Sequence, residues 1–149
     1  METFAIGVST VVMLITAIAL WFTISNFKKQ LQLNFFADYT RRYQEINLNF
    51  PENINENDCK IENLEPEIKS KTLRYMRAYF DLCSEEYYLW KKGNIDNDTW
   101  EEWKSGIEFA FSKPAFTQAW ENLGLDETYY KNFREFVANK ISKKHNKTN

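Results

Sequence analysis

Residues 4–27 read FAIGVSTVVMLITAIALWFTISNF and contain no charged side chain. A helix of this length is roughly 36 Å long at ~1.5 Å per residue, against about 30 Å for the hydrocarbon core of a bilayer. A chain of 149 residues rarely builds a core wide enough to surround such a helix. The stretch therefore predicts one N-terminal transmembrane helix at residues 4–27.

A cleaved signal peptide is the alternative interpretation of the same stretch. Ala17-Ile18-Ala19 resembles a cleavage site with small residues at its ends. The preceding Met-Glu-Thr has no positive charge, however, and the apolar run continues through Leu20, Trp21 and Ile24. Both features favour a retained anchor.

Positive charges flank the apolar stretch on one side only. Lys28, Lys29, Arg41 and Arg42 follow it, whereas Glu2 precedes it without any lysine or arginine. The side of a membrane that carries lysine and arginine is usually the cytoplasmic one. The pattern predicts a single pass with the N-terminus outside and the C-terminal domain in the cytoplasm.

One face of the predicted membrane helix carries small and weakly polar side chains at heptad spacing. These residues, called the seam below, are Ala5, Ser9, Val12, Thr16, Ala19, Thr23 and Asn26. Small residues let membrane helices approach closely, and hydroxyl groups can bond across the contact. The seam predicts self-association, with pore formation left open. Alternatively, the hydroxyls bond to the carbonyls four residues earlier and mediate no contact.

Charge is distributed unevenly along the chain. Residues 48–139 hold 18 acidic and 11 basic residues, whereas residues 28–47 and 140–149 are net positive. This acidic body argues against a nucleic-acid polymer as partner, and the basic ends suit an anionic lipid surface. Cys59 and Cys83 have no CxxC spacing and are expected to be free thiols in a cytoplasmic domain.

The rest of the chain predicts one cytoplasmic all-α domain at residues 28–141 and a basic, flexible tail at 142–149. Apolar residues recur at helical spacing after the anchor, so the first helix should continue to about Leu48 and couple anchor and domain rigidly. A polar loop at residues 47–65 follows, with Ile54 and Ile61 expected to contact the core. The architecture expected is a bundle of about five helices.

Local signals place the later helices. Pro66 suits the first turn of a second helix, and Gly93 after Lys91-Lys92 suits its end. Asp96 or Asp98 should cap a third helix. The remaining signals are Pro114 and Gly124 at the ends of a fourth helix, and Asp126 at the start of a fifth with Tyr129, Phe133, Phe136, Val137 and Ile141.

The segment Tyr79–Asp96, YFDLCSEEYYLWKKGNID, is followed by Trp100, Trp103, Pro114, Phe116 and Trp120. This pattern resembles small bacterial membrane-anchored all-helical proteins of unknown function, some of which are labelled putative phage abortive-infection proteins. The resemblance covers about residues 30–125 and rests on a helix–KGxID–helix corner with tryptophans. It implies a bacterial inner membrane and a setting in phage defence, and it brings no catalytic residue with it.

Catalytic and metal chemistry find little support in the residue pattern. Glu85-Glu86 and Glu101-Glu102 are adjacent pairs that diverge by ~100° on a helix, so both are interpreted as solvated helix faces. His145 is the only histidine, and residues 94–105 lack the glycine and the closing glutamate of a calcium loop. No catalytic residue, metal site or cofactor is predicted, and the chain is expected not to be an enzyme.

A basic face offers a second kind of site. Lys71, Arg74 and Arg77 recur at three-residue steps on the second helix, and Arg41 and Arg42 lie on the first. Arginine binds phosphate through two parallel hydrogen bonds, so these five residues are candidates for a small anionic ligand. The alternative is salt bridging to Glu67, Asp81 or Glu45.

Two functions from different classes follow. The first is a non-enzymatic membrane protein whose cytoplasmic domain binds an unknown protein partner or senses a signal, and whose membrane helix self-associates, in a setting of antiphage defence. The second is a ligand-gated membrane effector triggered by an anionic, for example cyclic, nucleotide.

Overall fold

The computed structural model describes residues 2–124 and 130–145. Within them the elements are α1 (Glu2–Asn47), a short 3₁₀ turn (Ile61–Asn63), α2 (Pro66–Lys91), α3 (Asn97–Ala110), α4 (Pro114–Asn122) and α5 (Lys131–His145). These described residues contain no strand, which confirms the predicted all-α class with about five helices. The chain forms two compact units, Met1–Ala37 and Asp38–Asn149, and α1 contributes residues to both.

The first unit consists of the apolar part of α1. From residue 9 to residue 24 every side chain is exposed, including Val11, Leu20 and Trp21 at 55%, 59% and 65%. The helix is long and apolar enough to span a membrane, and none of its most apolar window is buried within the protein. The exact span at residues 4–27 and its sidedness stay predictions.

The second unit begins with the last turns of α1, which end at Asn47 as the spacing predicts. The loop that follows is held to the core where expected, because Ile54 and Ile61 are 3% and 0% exposed. The backbone N–H of Ile61 also donates to the side-chain oxygen of Gln118 on α4 at 2.9 Å.

Helix α2 begins and ends at the predicted residues. Pro66 is its first residue, where a missing N–H costs nothing. At the other end Gly93 has a φ of 72°, a left-handed conformation that glycine adopts without strain. The N–H groups of Gly93 and Asn94 donate to the carbonyls of Trp90 and Leu89 at 2.8 and 3.0 Å. This pair of bonds forms a Schellman motif.

The next two helices also follow their local signals. Of the two candidate caps for α3, Asp96 is the one used: its carboxylate accepts from the backbone N–H and the hydroxyl of Thr99 at 2.8 and 2.9 Å. These bonds hold the pKa of Asp96 below its usual value. Helix α4 begins at Pro114, and Gly124 after it has a φ of 48°.

Helix α5 differs in part from the prediction. Asp126 and Tyr129 lie outside the described residues, and α5 begins at Lys131. The helix continues to His145, so residues 142–145 of the predicted flexible tail are helical. Residues 146–149 lie outside the described part of the chain.

Aromatic side chains build the core of the second unit. Phe80, Trp100 and Phe133, from three different helices, are each at most 1% exposed. Trp90 and Trp100 stack with ring centroids 4.8 Å apart and planes 13° apart, which fixes the corner between α2 and α3. Aromatic pairs of this kind add about 0.5–1.5 kcal/mol to the burial of their surface.

The Asp96 cap can be tested by removing its carboxylate. Asp96→Ala should lower the free energy of unfolding by about 1 kcal/mol, because two N-terminal donors of α3 lose an acceptor. Asp98→Ala is the matched control, since Asp98 lies in the same first turn without serving as the cap. Urea denaturation of the full chain in detergent, followed by tryptophan fluorescence, measures both. Equal losses in the two variants would contradict the assignment.

Candidate functional site

The end of α1 packs on the middle of α2 through a set of polar and aromatic residues within the second unit. We call this contact the α1–α2 junction; it comprises Tyr39, Arg42 and Tyr43 of α1 with Tyr79, Cys83, Glu85 and Glu86 of α2. Tyr39 and Ile46 are 7% and 9% exposed, so this end of α1 belongs to the core. The rings of Tyr43 and Tyr79 lie 6.3 Å apart across the contact.

Glu85 collects two donors from α1. The guanidinium of Arg42 donates to its Oε2 at 2.7 Å, and the hydroxyl of Tyr39 donates to the same oxygen at 3.1 Å. The Arg42 guanidinium also lies 5.0 Å from the centre of the Tyr39 ring, which in turn stacks on Trp103 of α3 at 5.4 Å. The ion pair therefore joins α1 to α2, and the Tyr39 ring beside it joins α1 to α3.

The interpretation of Glu85-Glu86 as a solvated pair is wrong for Glu86, which is buried. Glu85 keeps a half-exposed side chain, but Glu86 is only 6% exposed and is one of two buried polar residues among those described. Glu86 follows Tyr79 by seven residues and Cys83 by three, which places it on the apolar stripe of α2. That spacing is the signal in the sequence for the burial of Glu86.

Burial is the main cause of the raised pKa values of three groups at the junction. Loss of hydration raises the pKa of the Glu86 carboxyl from its usual 4.5 to about 8, while Arg42 opposes and Glu85 adds to this shift. Burial likewise raises the pKa of the Cys83 thiol and of the Tyr79 hydroxyl well above their ordinary values. Burial therefore favours the neutral forms of these three groups.

A cavity of about 560 Å³ adjoins the junction. It is lined by Arg42, Glu45, Ile46, Ala78, Asp81, Ser84, Glu85 and Tyr130. Its charged lining is three carboxylates and one guanidinium that is already paired. Burial and the neighbouring Glu85 raise the pKa of Asp81, while Arg77 and Arg42 lower it. The lining is thus acidic and does not favour a second anion.

The five basic candidates do not form one described site. Arg41 bonds within its own helix, to Asp38 at 2.6 Å and Glu45 at 2.9 Å, and Arg42 bonds to Glu85. Two of the five therefore make the predicted kind of salt bridge, and the Arg41–Glu45 pair is one that the sequence suggested.

The other three candidates lie on α2. Lys71 lies 6.0 Å from the centre of the Tyr75 ring, and Arg74 and Arg77 are exposed. No ion pair joins Arg74 or Arg77 to another residue in 2–124 or 130–145. Anion binding by this group, and the ligand-gated effector that depends on it, stay predictions.

The seam lies on the exposed apolar part of α1. The hydroxyls of Thr16 and Thr23 donate to the carbonyls of Val12 and Ala19 at 2.8 and 2.9 Å, the local bonding that the sequence offered as the alternative. A contact through the seam would then depend on close packing rather than on free hydroxyl donors. Self-association stays a prediction.

No group of three or more His, Cys, Asp or Glu side chains within the described ranges is arranged to hold a metal ion. Cys59 and Cys83 are buried free thiols, as expected. No known protein family, no curated protein and no solved structure matches this chain significantly. The resemblance drawn from the sequence pattern therefore gains no support from these comparisons.

The Arg42 contact can be tested against its neighbour. Arg42→Met should lower the free energy of unfolding by about 1 kcal/mol, because a part-buried ion pair and a cation–π contact between helices are lost. Arg41→Met is the control: its pairs lie within one helix and its side chain is 62% exposed, so no measurable loss is expected. Urea denaturation of the full chain in detergent compares the two. A larger loss for Arg41 would refute the assignment.

Proposed function

We propose that this chain is a non-enzymatic, single-pass protein of a bacterial inner membrane whose cytoplasmic helical domain binds a partner or senses a signal. The observation that carries the proposal is α1 itself. It is one helix from Glu2 to Asn47, apolar and exposed at residues 9–24, with Tyr39 and Ile46 buried in the helical core. Exposure of the apolar residues 9–24 to water is unfavourable, whereas burial of Tyr39 and Ile46 stabilises the folded domain.

A retained anchor accounts for this helix better than a cleaved signal does. Ala17-Ile18-Ala19 lies inside α1, and Leu20, Trp21 and Ile24 after it are 59%, 65% and 48% exposed. Cleavage at that site would leave these apolar side chains at the new N-terminus, in water. Retention places them in the bilayer or at its interface, where tryptophan is enriched.

Sidedness rests on the basic residues that follow the apolar stretch. Four of them, Lys28, Lys29, Arg41 and Arg42, follow it, and Lys28 and Lys29 are the nearest. They lie directly after Phe27, within the distance over which such charges orient a helix. This supports a cytoplasmic position for the helical domain.

Membrane insertion and sidedness have a direct measurement. The full chain, expressed in a bacterium, should remain in the membrane fraction after alkaline washing and keep the mass of residues 1–149, because the anchor is not cleaved. Protease added outside spheroplasts should leave the domain intact, whereas protease added to inside-out vesicles should digest it. A soluble product, a mass that begins after Ala19, or digestion from outside would each contradict the proposal.

Self-association of the membrane helix is the finer part of the proposal. It is supported by the seam, where Thr16, Ala19 and Thr23 present little side-chain volume and the threonine hydroxyls are satisfied within the helix. A helix that approaches this face meets no unpaired hydroxyl donor at Thr16 or Thr23 and little steric bulk. The setting in antiphage defence is proposed from the resemblance of the sequence alone.

Larger side chains on the seam should separate the helices. Thr16→Leu with Ala19→Leu should abolish the crosslinked dimers or higher species that the wild-type chain forms in liposomes at low protein-to-lipid ratio. Val11→Leu with Ile18→Leu is the matched control, because both residues lie on the apolar part of α1 outside the seam, and this variant should crosslink like the wild type. A monomeric wild type, or equal crosslinking in all three chains, would refute association through the seam.

A further inference from the structure

We propose that the α1–α2 junction is a proton-operated contact, closed while Glu86 carries a proton and opened when Glu86 loses it. The inference deepens the proposed sensing function by naming the stimulus, cytoplasmic pH, and it rests on that function for its biological role. Glu86 is 6% exposed, and no hydrogen bond or ion pair joins its carboxyl to another residue in the described ranges. Such a site accommodates a neutral carboxyl far more readily than a carboxylate.

The groups that face Glu86 show why ionisation is disfavoured. Those that interact with it electrostatically are Arg42 and Tyr43 of α1 and Tyr79, Cys83 and Glu85 of α2. The tyrosines and the cysteine are neutral near pH 7, because burial raises the pKa of each. Arg42 is the one cation in this set, and it already bonds to Glu85 at 2.7 Å.

Loss of the proton therefore leaves the junction with two carboxylates and one guanidinium. A buried Glu86 carboxylate is neutralised only if Arg42 leaves Glu85, which removes one of the two donors, Arg42 and Tyr39, that α1 gives to Glu85. Separation of the helices instead hydrates the carboxylate. In either case ionisation of Glu86 acts against the closed contact.

The direction of the pH effect follows from the two states of Glu86. In the closed junction its pKa is about 8, whereas in an open, hydrated junction it returns to its usual 4.5. Between these values the closed state holds a proton that the open state releases, so the opening constant should rise about tenfold per pH unit. Above about pH 8 both states are ionised, and opening should become independent of pH.

Cys83 provides a reporter that needs no added label site. It is 1% exposed and lies within the junction, so we expect it to react when α1 and α2 separate. Its alkylation rate, measured by mass spectrometry on the full chain in lipid nanodiscs, is divided at each pH by the rate for the urea-unfolded chain. This removes the titration of the thiol itself. The normalised rate should rise about tenfold per unit from pH 6 to 8 and then level off.

Two controls separate local opening from other effects. Cys59, buried at 5% in the loop before α2, should show no comparable rise, because it lies outside the junction. Glu86→Gln should make the Cys83 rate independent of pH. Glu85→Gln removes a neighbouring negative charge and frees Arg42 to pair with Glu86, so the rate should level off at a lower pH than in the wild type. A flat wild-type rate, a slope that survives in Glu86→Gln, or a parallel rise of Cys59 would overturn the proposal.

Infrared spectroscopy tests the wild-type chain directly if Glu86→Gln does not fold. A protonated carboxyl band should be present at pH 7 and disappear as the pH passes through about 8; its absence at pH 7 would overturn the proposal.

Failure here is distinguishable from failure of the proposed function. A monomeric chain, or one with the opposite sidedness, would still show the Cys83 slope, and a membrane-inserted chain without the slope would retain its anchor.

Discussion

The exposed apolar surface of α1 is the constraint on which the rest of the molecule depends. A helix satisfies its own backbone hydrogen bonds, so side chains alone decide which surroundings it tolerates. Val11, Leu20 and Trp21 are more than half exposed, and burial of such surface is favourable by roughly 25 cal/mol per Å². The apolar part of α1 is long and apolar enough to span a bilayer.

Features set by neighbouring residues were predictable from the sequence. Pro66, Gly93 and Asp96 act within one turn of their own position, so the ends of α2 and α3 lie where these residue types require. The polarity of the junction was not predictable in the same way. The Arg42–Glu85 bond joins residues 43 positions apart and depends on how α1 is rotated against α2, which no local pattern specifies. Glu86 was an intermediate case. Its spacing from Tyr79 and Cys83 predicted a position on the buried face of α2, but a glutamate is usually exposed to solvent.

The adjacent Glu85 and Glu86 differ in solvent exposure, and this difference determines which of them is more readily ionised. Glu85 and Glu86 face a single cation, Arg42, so only one of them can be ionised and paired. Glu85 is half-exposed and accepts from Tyr39 as well, and its charge is therefore hydrated and bonded. Glu86 is 6% exposed, and burial raises its pKa to about 8, so its neutral form is favoured and Arg42 stays with Glu85. A leucine at position 86 would pack without this cost, so the carboxyl weakens the fold in exchange for a response to protons.

Polar groups on the apolar part of α1 also need hydrogen-bond partners. A threonine hydroxyl in hydrocarbon is costly unless it is bonded, and Thr16 and Thr23 bond to the carbonyls of Val12 and Ala19. These two threonines are thus compatible with lipid before any partner arrives. An association of such faces gains only packing, which is modest in energy. A modest energy is what a reversible contact requires, because a small bias is then enough to shift its population.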